Sequence, residues 1–280
     1  MKIGIFDSGL GGLSVLHEAC HQLPDEEYIF YADRAHAPYG VKPTEEIFGY
    51  VDSIVTFLLE QGCDAIVIAC NTATSVAVRK LRERYYNMPG NTLKIVGMEP
   101  AVKPAVADNS ESSRSRVLVM ATPVTIREAK LKNLIDRVDE NHIVDLLAMP
   151  GLVTLAESET FSGEAVTDYL DKQFSQIDPK LYSSLVLGCT HFNYFKDSYR
   201  KYFDDDTRFI DGNFGTIRYL ANLLELPMQN LPSGSVHFDS IEDMTRNTRY
   251  FISGREVENS DELGMFTRLH NRLEELRDIR

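Results

Sequence analysis

The sequence lacks a long apolar run and lacks an excess of positive charge. No run approaches the roughly 18–20 apolar residues that a membrane-spanning helix needs, and Asp7 interrupts the N-terminal apolar segment too early for a signal peptide. The 280 residues include 29 Lys and Arg against 42 Asp and Glu, a net charge of −13. This balance argues against nucleic-acid binding and against docking on anionic membranes. We therefore expect a cytoplasmic protein without nucleic-acid or membrane partners.

The sequence also has few cysteines and no CxxC pair. The four thiols are Cys20, Cys63, Cys70 and Cys189. In a reducing compartment we expect neither a structural disulfide nor a structural zinc site. No Cys or carboxylate cluster with metal-ligand spacing surrounds the histidines near the N-terminus, which are interpreted as surface or helix-face residues: His17, His21 and His36. The acidic run 204–206 is interpreted as a solvated turn. The sequence therefore predicts no metal site.

Short β-branched runs alternate with amphipathic stretches, which is typical of βαβ units and a parallel sheet. Strands are predicted at 3–7, 28–33, 65–69 and 93–98, with helices between them over 13–23, 47–58 and 72–86. A polar stretch over 108–116 interrupts the pattern. It restarts with strands at 117–121, 143–148 and 184–188 and helices at 123–138, at 166–177 and after 191.

The length of 280 residues suggests about two domains. We predict an α/β fold of two similar parallel-sheet domains that face each other across a cleft. The first domain comprises 1–98 plus 213–280, and the second comprises 99–212. The hinge is expected near 98–100, and the return crossing near 211–212.

The two series resemble each other at one strand in particular. Residues 65–72 read AIVIACNT and residues 184–191 read SLVLGCTH, so each apolar strand ends in a cysteine followed by polar residues. Ligands of open α/β sheets bind at the carboxyl ends of the strands. A helix that begins at a thiol also lowers the thiol pKa. We therefore interpret Cys70 and Cys189 as paired functional groups, and Cys20 and Cys63 as buried hydrophobic residues.

Several thiol chemistries do not fit this pair. A disulfide oxidoreductase has its cysteines close in sequence, and a thiol hydrolase uses one Cys with one His. A phosphatase-like thiol needs an arginine six positions later, where this chain has Val76 and Phe195. Two equivalent acid/base groups on opposite faces of a carbon can instead invert a stereocentre, because one removes a proton while the other returns one.

The glycine-rich segment after the first strand has three interpretations. Residues 7–12 read DSGLGG and precede a helix, so their amides could cradle an anion, with Asp7 as an auxiliary acid/base. The segment also begins like a dinucleotide fingerprint, for which Asp33 would bind a ribose. The third interpretation is a tight turn that needs glycine for its backbone angles.

Four segments together resemble the glutamate racemase family, the cofactor-independent members of the aspartate/glutamate racemase group. They are IFDSGLGGLSVL at 5–16, APYG at 37–40, ACNTA at 69–73 and LGCTH at 187–191. They occur in order, and the resemblance covers about 1–217. It implies that Cys70 acts on D-glutamate with help from Asp7. Cys189 would act on L-glutamate with help from His191, near which the family has a glutamate that Glu157 matches.

The same resemblance implies the substrate-binding residues, which hold the carboxylates and the amine of glutamate: Asp7, Ser8, Tyr39, Gly40, Asn71, Thr72, Thr122, Thr125, Thr190 and His191. It further implies an enzyme without PLP, metal or other cofactor, often a homodimer, which supplies D-glutamate for peptidoglycan synthesis. Phe192-Asn193 replaces the family's Tyr-Pro, and Arg127, Glu128 and Lys130 also depart from its pattern.

Three alternatives remain open from the sequence. The chain could racemise aspartate or another small amino acid. It could be a two-lobed amino-acid-binding protein without catalysis. It could also be a nucleotide-binding protein that uses the glycine loop.

Overall fold

The computed structural model describes residues 1–88, 90, 92–107, 116–229 and 238–279, and its strands form two sheets. The larger sheet contains β1 (Lys2–Asp7), β2 (Glu27–Ala32), β3 (Ala65–Ile68), β4 (Lys94–Gly97), β9 (Thr248–Ile252) and β10 (Arg255–Glu256). The smaller sheet contains β5 (Arg116–Ala121), β6 (Val144–Ala148), β7 (Tyr182–Leu187) and β8 (Arg208–Ile210).

Helices connect and cover these strands. They are α1 (Leu13–Gln22), α2 (Thr44–Glu60), α3 (Asn71–Tyr86), α4 (Val102–Ala107), α5 (Pro123–Arg127), α6 (Ala129–Val138), α7 (Pro150–Glu157), α8 (Glu164–Phe174), α9 (Lys196–Tyr199), α10 (Asn213–Leu224), α11 (Ile241–Met244) and α12 (Ser260–Glu275). The described part of the chain also contains 3₁₀ turns at Tyr39–Val41, Pro179–Leu181 and Thr190–Phe195. Over the described ranges, no helix combines the length and apolar character needed to cross a membrane.

The larger sheet has the strand order β10-β9-β2-β1-β3-β4. The strands from β9 to β4 are parallel, and only the two-residue β10 is antiparallel to its neighbour among the strands described. The four strands predicted within 3–98 are confirmed. The strands β9 and β10 were not predicted. β9 pairs with β2, which brings the C-terminal part of the chain back to the first sheet.

The smaller sheet has the order β6-β5-β7-β8, and its strands are parallel. The three strands predicted at 117–121, 143–148 and 184–188 are confirmed, and β8 is an additional edge strand. Of the predicted polar interruption, 108–115 lies outside the described residues, and Arg116 begins β5. The prediction of two parallel-sheet α/β halves is confirmed by these two sheets.

Two predicted helices differ from the structure. The helix predicted over 123–138 is divided into α5 and α6, because Glu128 has an extended backbone (φ −70°, ψ 136°). The break lets α5 pack against α3 and the Tyr39–Val41 turn while α6 packs against α4, which one straight helix would not do. The helix predicted after 191 is a 3₁₀ turn followed by the four-residue α9.

The two halves share a continuous apolar core. Ile3 and Ile5 of β1 belong to the same buried cluster as Leu118 of β5 and Leu185 of β7. The helix α1 also packs against the Thr190–Phe195 turn. These contacts bring the carboxyl ends of β1, β3, β5 and β7 to one shared region.

Candidate active site

The loop that joins β1 to α1 is bound to side chains on both sides of the cleft. The Gly9 amide donates a hydrogen bond to Asp7 Oδ2 (3.0 Å), and the Leu10 amide donates to Glu157 Oε1 (2.6 Å). Both amides therefore already donate hydrogen bonds to carboxylates of the protein. The arrangement therefore disfavours both the anion cradle and the dinucleotide site as interpretations of the glycine-rich segment.

The glycines of this loop permit close approach of the second half. A Cβ atom at Gly9 would lie 2.0 Å from Glu157 Oε1, and one at Gly11 would lie 2.4 Å from His191 Nδ1. Neither glycine has a positive φ. The interpretation that this turn needs glycine for its backbone angles is therefore wrong. Glycine is needed at these positions because a side chain would clash with the second half.

Cys70 lies two residues after the end of β3 and caps the N-terminus of α3. Its Sγ accepts a hydrogen bond from the Ala73 amide (3.4 Å) and donates one to Ser8 Oγ (3.6 Å). Burial and, secondly, the nearby Asp7 carboxylate raise the pKa of the Cys70 thiol to about 12. The Ala73 amide at the helix N-terminus does lower the pKa, as expected, but desolvation of the thiolate outweighs this contact, so a net lowering of the Cys70 pKa is not observed.

Asp7 is itself buried at the end of β1. Burial raises the pKa of its carboxyl, although the His191 charge and the Gly9 amide act in the opposite direction. Thr190 Oγ1 donates a hydrogen bond to Asp7 Oδ1 (3.2 Å). Asp7 therefore contacts a residue next to the second cysteine while it faces the first.

Cys189 follows β7 and lies beside a buried histidine. Its Sγ is 3.7 Å from His191 Nδ1, and His191 Nε2 is 2.7 Å from Glu157 Oε1. Burial lowers the pKa of His191, but the hydrogen bonds to Cys189 and Glu157 raise it by more than burial lowers it. The net pKa is well above its usual value. The same pairing keeps the pKa of Glu157 below its usual value despite burial. The result is a carboxylate–imidazolium pair that points at the thiol.

Three threonine hydroxyls meet where the halves touch. Thr72 Oγ1 lies 2.9 Å from Thr122 Oγ1 and 3.2 Å from Thr125 Oγ1, and the last two are 3.0 Å apart. A Cβ atom at Gly40 would lie 2.8 Å from Thr122 Cβ. The predicted hydroxyl residues of the two halves therefore form one cluster with the Gly40 backbone against it.

Asn71, next to Cys70, has an unsatisfied side chain. Neither its amide nitrogen nor its carbonyl oxygen has a hydrogen-bond partner among the described residues, although both atoms are buried. Leaving a buried donor or acceptor unpaired costs about 1–3 kcal/mol. A polar ligand at this position would remove that cost.

The Tyr39 hydroxyl is bound within its own half of the protein. The hydroxyl donates a hydrogen bond to Asp33 Oδ2 (2.5 Å), so it is engaged by the protein, and Asp33 also contacts His36 Nδ1 (2.8 Å). Asp33 was interpreted only as a strand end or a ribose ligand, and its contact with Tyr39 was missed. The position of Asp33 directly after β2 is the sequence feature that could have indicated this contact.

Arg34 is a further residue that the sequence analysis missed. Its Nε lies 3.2 Å from Glu157 Oε2, and its Nη2 donates to the Glu157 carbonyl (3.1 Å). It lies two residues after the end of β2 and holds the carboxylate of the second half in place. With it, the structure brings the predicted catalytic residues of both halves into one buried region, in which Cys70 and Cys189 are 6% and 7% exposed.

Comparison with known proteins identifies the family of this chain. A family model described as Asp/Glu/Hydantoin racemase matches residues 6–219. The chain belongs to the Asp/Glu/hydantoin racemase family. Within this family it is similar to the glutamate racemase of Lachnospira eligens, with 48% identity over 100% of both chains. It is 42% identical to glutamate racemase 2 of Bacillus subtilis, over 98% of this chain and 97% of the relative.

Solved structures of the same racemase family have the same fold. A crystal structure of Escherichia coli glutamate racemase, in complex with L-glutamate and the activator UDP-MurNAc-ala, superposes with a TM-score of 0.72. It has 28% sequence identity, and the match covers 90% of this chain and 97% of that chain. The expected family resemblance and the expected fold are therefore confirmed.

Proposed function

We propose that this chain is an isomerase that interconverts L- and D-glutamate with two thiols and no cofactor. The observation that carries the proposal is the pairing of Cys70 and Cys189. Each follows a strand of a different sheet, and each has its own acid/base partner within one buried region. The names of the relatives, at up to 48% identity over full length, support glutamate as the substrate.

In the direction from L- to D-glutamate, Cys189 is the base. The protonated His191 beside it stabilises a thiolate, and Glu157 keeps the imidazole protonated and oriented. The thiolate removes the α-proton, and the electron pair left on the carbon delocalises into the α-carboxylate. Cys70, kept as a thiol by burial, returns a proton to the opposite face. The chain then holds a Cys189 thiol and a Cys70 thiolate, so the reverse reaction uses the same groups in exchanged roles.

The substrate is held mainly by neutral polar groups, and the one positive charge among the assigned residues is that of His191. We assign this role to the hydroxyls of Ser8, Thr72, Thr122, Thr125 and Thr190, the Asn71 side chain, and the Tyr39–Gly40 turn, with Asp7 and His191 at the reacting carbon. Asn71 supports the assignment because its buried amide lacks a partner within the described chain. Dipoles fixed in a dry site stabilise developing charge more strongly than they would in water.

We also propose the division into domains 1–98 plus 213–280 and 99–212. It is supported by sheet membership, since β1–β4 and β9–β10 lie in one sheet and β5–β8 in the other. The two crossings between the domains run side by side, because a Cβ atom at Gly212 would lie 2.6 Å from the Glu99 carbonyl oxygen. Separation of the domains about these crossings would open the buried site to substrate.

The cellular setting remains a proposal as well. A reducing cytoplasm suits a mechanism that needs two free thiols, and all four cysteines are free. D-glutamate made there would supply peptidoglycan synthesis. Assembly as a homodimer, without nucleic-acid or membrane partners, also stays a prediction.

The test is proton NMR of L-glutamate in D2O with reduced protein and no added cofactor, with circular dichroism of the amino acid in parallel. We expect loss of the α-proton signal together with decay of the optical signal to zero. Faster exchange of aspartate than of glutamate would make the chain an aspartate racemase. Glutamate binding without any exchange would instead indicate a non-catalytic binding protein.

A further inference from the structure

A second cluster of titratable groups lies between α1 and α12, away from the thiols. His17 Nε2 is 2.8 Å and His21 Nε2 is 3.0 Å from the same oxygen, Oε2 of Glu274. Both histidines are buried, whereas the Glu274 side chain is 45% exposed. His17 and His21 were interpreted as surface or helix-face histidines. They lie on a face of α1 that α12 covers, so only the expectation of surface exposure is wrong. Their burial could not be predicted because α12 is far from α1 in sequence.

The geometry of the cluster is that of a metal-ligand set. The two histidines are one helical turn apart on α1, so their rings share a face. The ligand atoms of His17, His21 and Glu274 all lie within 4.8 Å of one another. Two imidazoles and one carboxylate are the protein ligands of a common type of zinc site, in which water occupies the fourth position.

A second layer of hydrogen bonds orients the buried ligand. His17 Nδ1 lies 3.2 Å from His270 Nδ1, and His270 Nε2 lies 3.3 Å from the Tyr250 hydroxyl. Metal-binding histidines characteristically donate their other ring N–H to a hydrogen-bond acceptor, which fixes the tautomer. The chain from His17 to Tyr250 can supply an acceptor for His17 Nδ1–H when Nε2 binds a cation.

We propose that His17, His21 and Glu274 form a binding site for one divalent transition-metal ion of the Zn²⁺ type. His17 also lines a cavity of about 470 Å³, which can supply water to the open coordination position. The ion would join α12 to α1, the helix that begins at the glycine loop of the active site. This site is independent of the proposed racemase activity.

Arg277 is the group that competes with the ion. Its Nη1 lies 2.9 Å and 3.1 Å from the two ring nitrogens of His21, and 3.6 Å from Glu274 Oε1. Binding of a cation requires this guanidinium to move away, because two positive charges at this separation repel each other. Removal of the Arg277 charge should therefore strengthen metal binding, an effect that a misfolded variant would not produce.

The experiment is titration of the full chain with Co²⁺, followed by its visible absorption. Cobalt bound to nitrogen and oxygen ligands shows d–d bands, whereas cobalt bound to thiolates adds a sulfur-to-metal charge-transfer band. We expect one Co²⁺ per chain, d–d bands without the sulfur band, and the same spectrum in a Cys70→Ser/Cys189→Ser variant. Zn²⁺ should displace the Co²⁺.

The variants make the assignment specific. His21→Gln and Glu274→Gln should each weaken binding at least about tenfold, while the matched controls His142→Gln and Glu275→Gln should leave it unchanged. Arg277→Gln should tighten binding by roughly tenfold. Absence of Co²⁺ binding, a spectrum with the sulfur band that disappears in the double-cysteine variant, or equal affinities in Glu274→Gln and Glu275→Gln would each overturn the proposal.

Discussion

Glu157 Oε1 accepts a hydrogen bond from His191 Nε2 at 2.7 Å, and both residues contact the glycine loop of the opposite half. The pair therefore does two things at once. It keeps a positive charge beside Cys189, and it closes the second half onto the loop after β1. The proposed acid/base chemistry and the closure of the site therefore depend on the same contact.

Replacement of Glu157 by glutamine should lower the pKa of His191. Burial disfavours the imidazolium, and the carboxylate is one of the groups that oppose this effect. We expect kcat for L-glutamate to fall by about 10²-fold or more, with a smaller change in KM. Histidine NMR titration together with steady-state kinetics measures both effects.

The matched control for this substitution is Glu159→Gln. Glu159 lies two residues further along and pairs with Arg268 on the surface (3.0 Å). It should retain both the kinetics and the His191 titration of the unsubstituted protein. An unchanged His191 pKa in Glu157→Gln would contradict the assigned role of the carboxylate.

Replacement of either central thiol by serine should abolish racemisation in both directions. A serine hydroxyl is a far weaker acid than a thiol, so neither proton transfer proceeds at a useful rate. We expect at least about a 10³-fold loss of kcat in Cys70→Ser and in Cys189→Ser, with unchanged far-ultraviolet circular dichroism. Cys63→Ser is the control, since Cys63 is buried outside the site. Near-normal turnover in both single variants would refute the two-thiol mechanism.

Substitution of Gly11 by alanine should disturb the site through space alone. The new methyl group would lie 2.4 Å from His191 Nδ1 and 2.5 Å from Thr190 Oγ1, both of which are buried. We expect a loss of about 1–3 kcal/mol in the free energy of unfolding and a lower kcat. Denaturant titration and kinetics measure these quantities.

Gly49→Ala provides the comparison for that glycine. Gly49 lies within α2, and no atom would approach its added Cβ within 4 Å. Alanine there should raise the free energy of unfolding by about 0.5–1 kcal/mol, because it favours the helix. Equal effects at the two positions would show that close approach is not what Gly11 provides.

Local patterns were sufficient to predict most of the two sheets and the position of the paired cysteines. The strands β1, β3, β5 and β7 are apolar runs with a functional polar or thiol residue at or just after their carboxyl ends, and the carboxyl ends of parallel strands lie on one edge. Asp7, Cys70, Thr122 and Cys189 could therefore be placed together from the sequence. The break at Glu128 could not be predicted, since it depends on what α5 and α6 each pack against.

Contacts between distant parts of the chain were not accessible from local patterns. Arg34 reaches Glu157 only because the halves close on each other, and Glu274 reaches His21 only because α12 packs on α1. Glu18 lies between the two histidines in the sequence, but the carboxylate that contacts both of them is Glu274 of α12, which no local pattern links to α1. Their burial likewise follows from α12, for which the sequence analysis predicted no role.

The burial of His17 predicts how stability depends on pH in metal-free protein. Its pKa is about 4 in the folded chain against a usual value of 6.5, so the unfolded chain binds the proton more readily. The stabilisation from neutral His17 is complete above pH 6.5 and is lost as the pH falls toward 4. The linkage contributes as much as about 3 kcal/mol. His270, whose pKa is also lowered, adds to this loss of stability, and Glu274 adds to the loss below its unfolded pKa. His21 and Arg277 also face His17, and the coulombic effect of each lowers the pKa of His17 further.

Urea unfolding measured from pH 7.5 to 4 tests this linkage. The free energy of unfolding should fall less steeply with decreasing pH in His17→Gln than in the unsubstituted chain, and the control His142→Gln should show the original decline. Parallel declines in all three proteins would show that His17 does not titrate in this way.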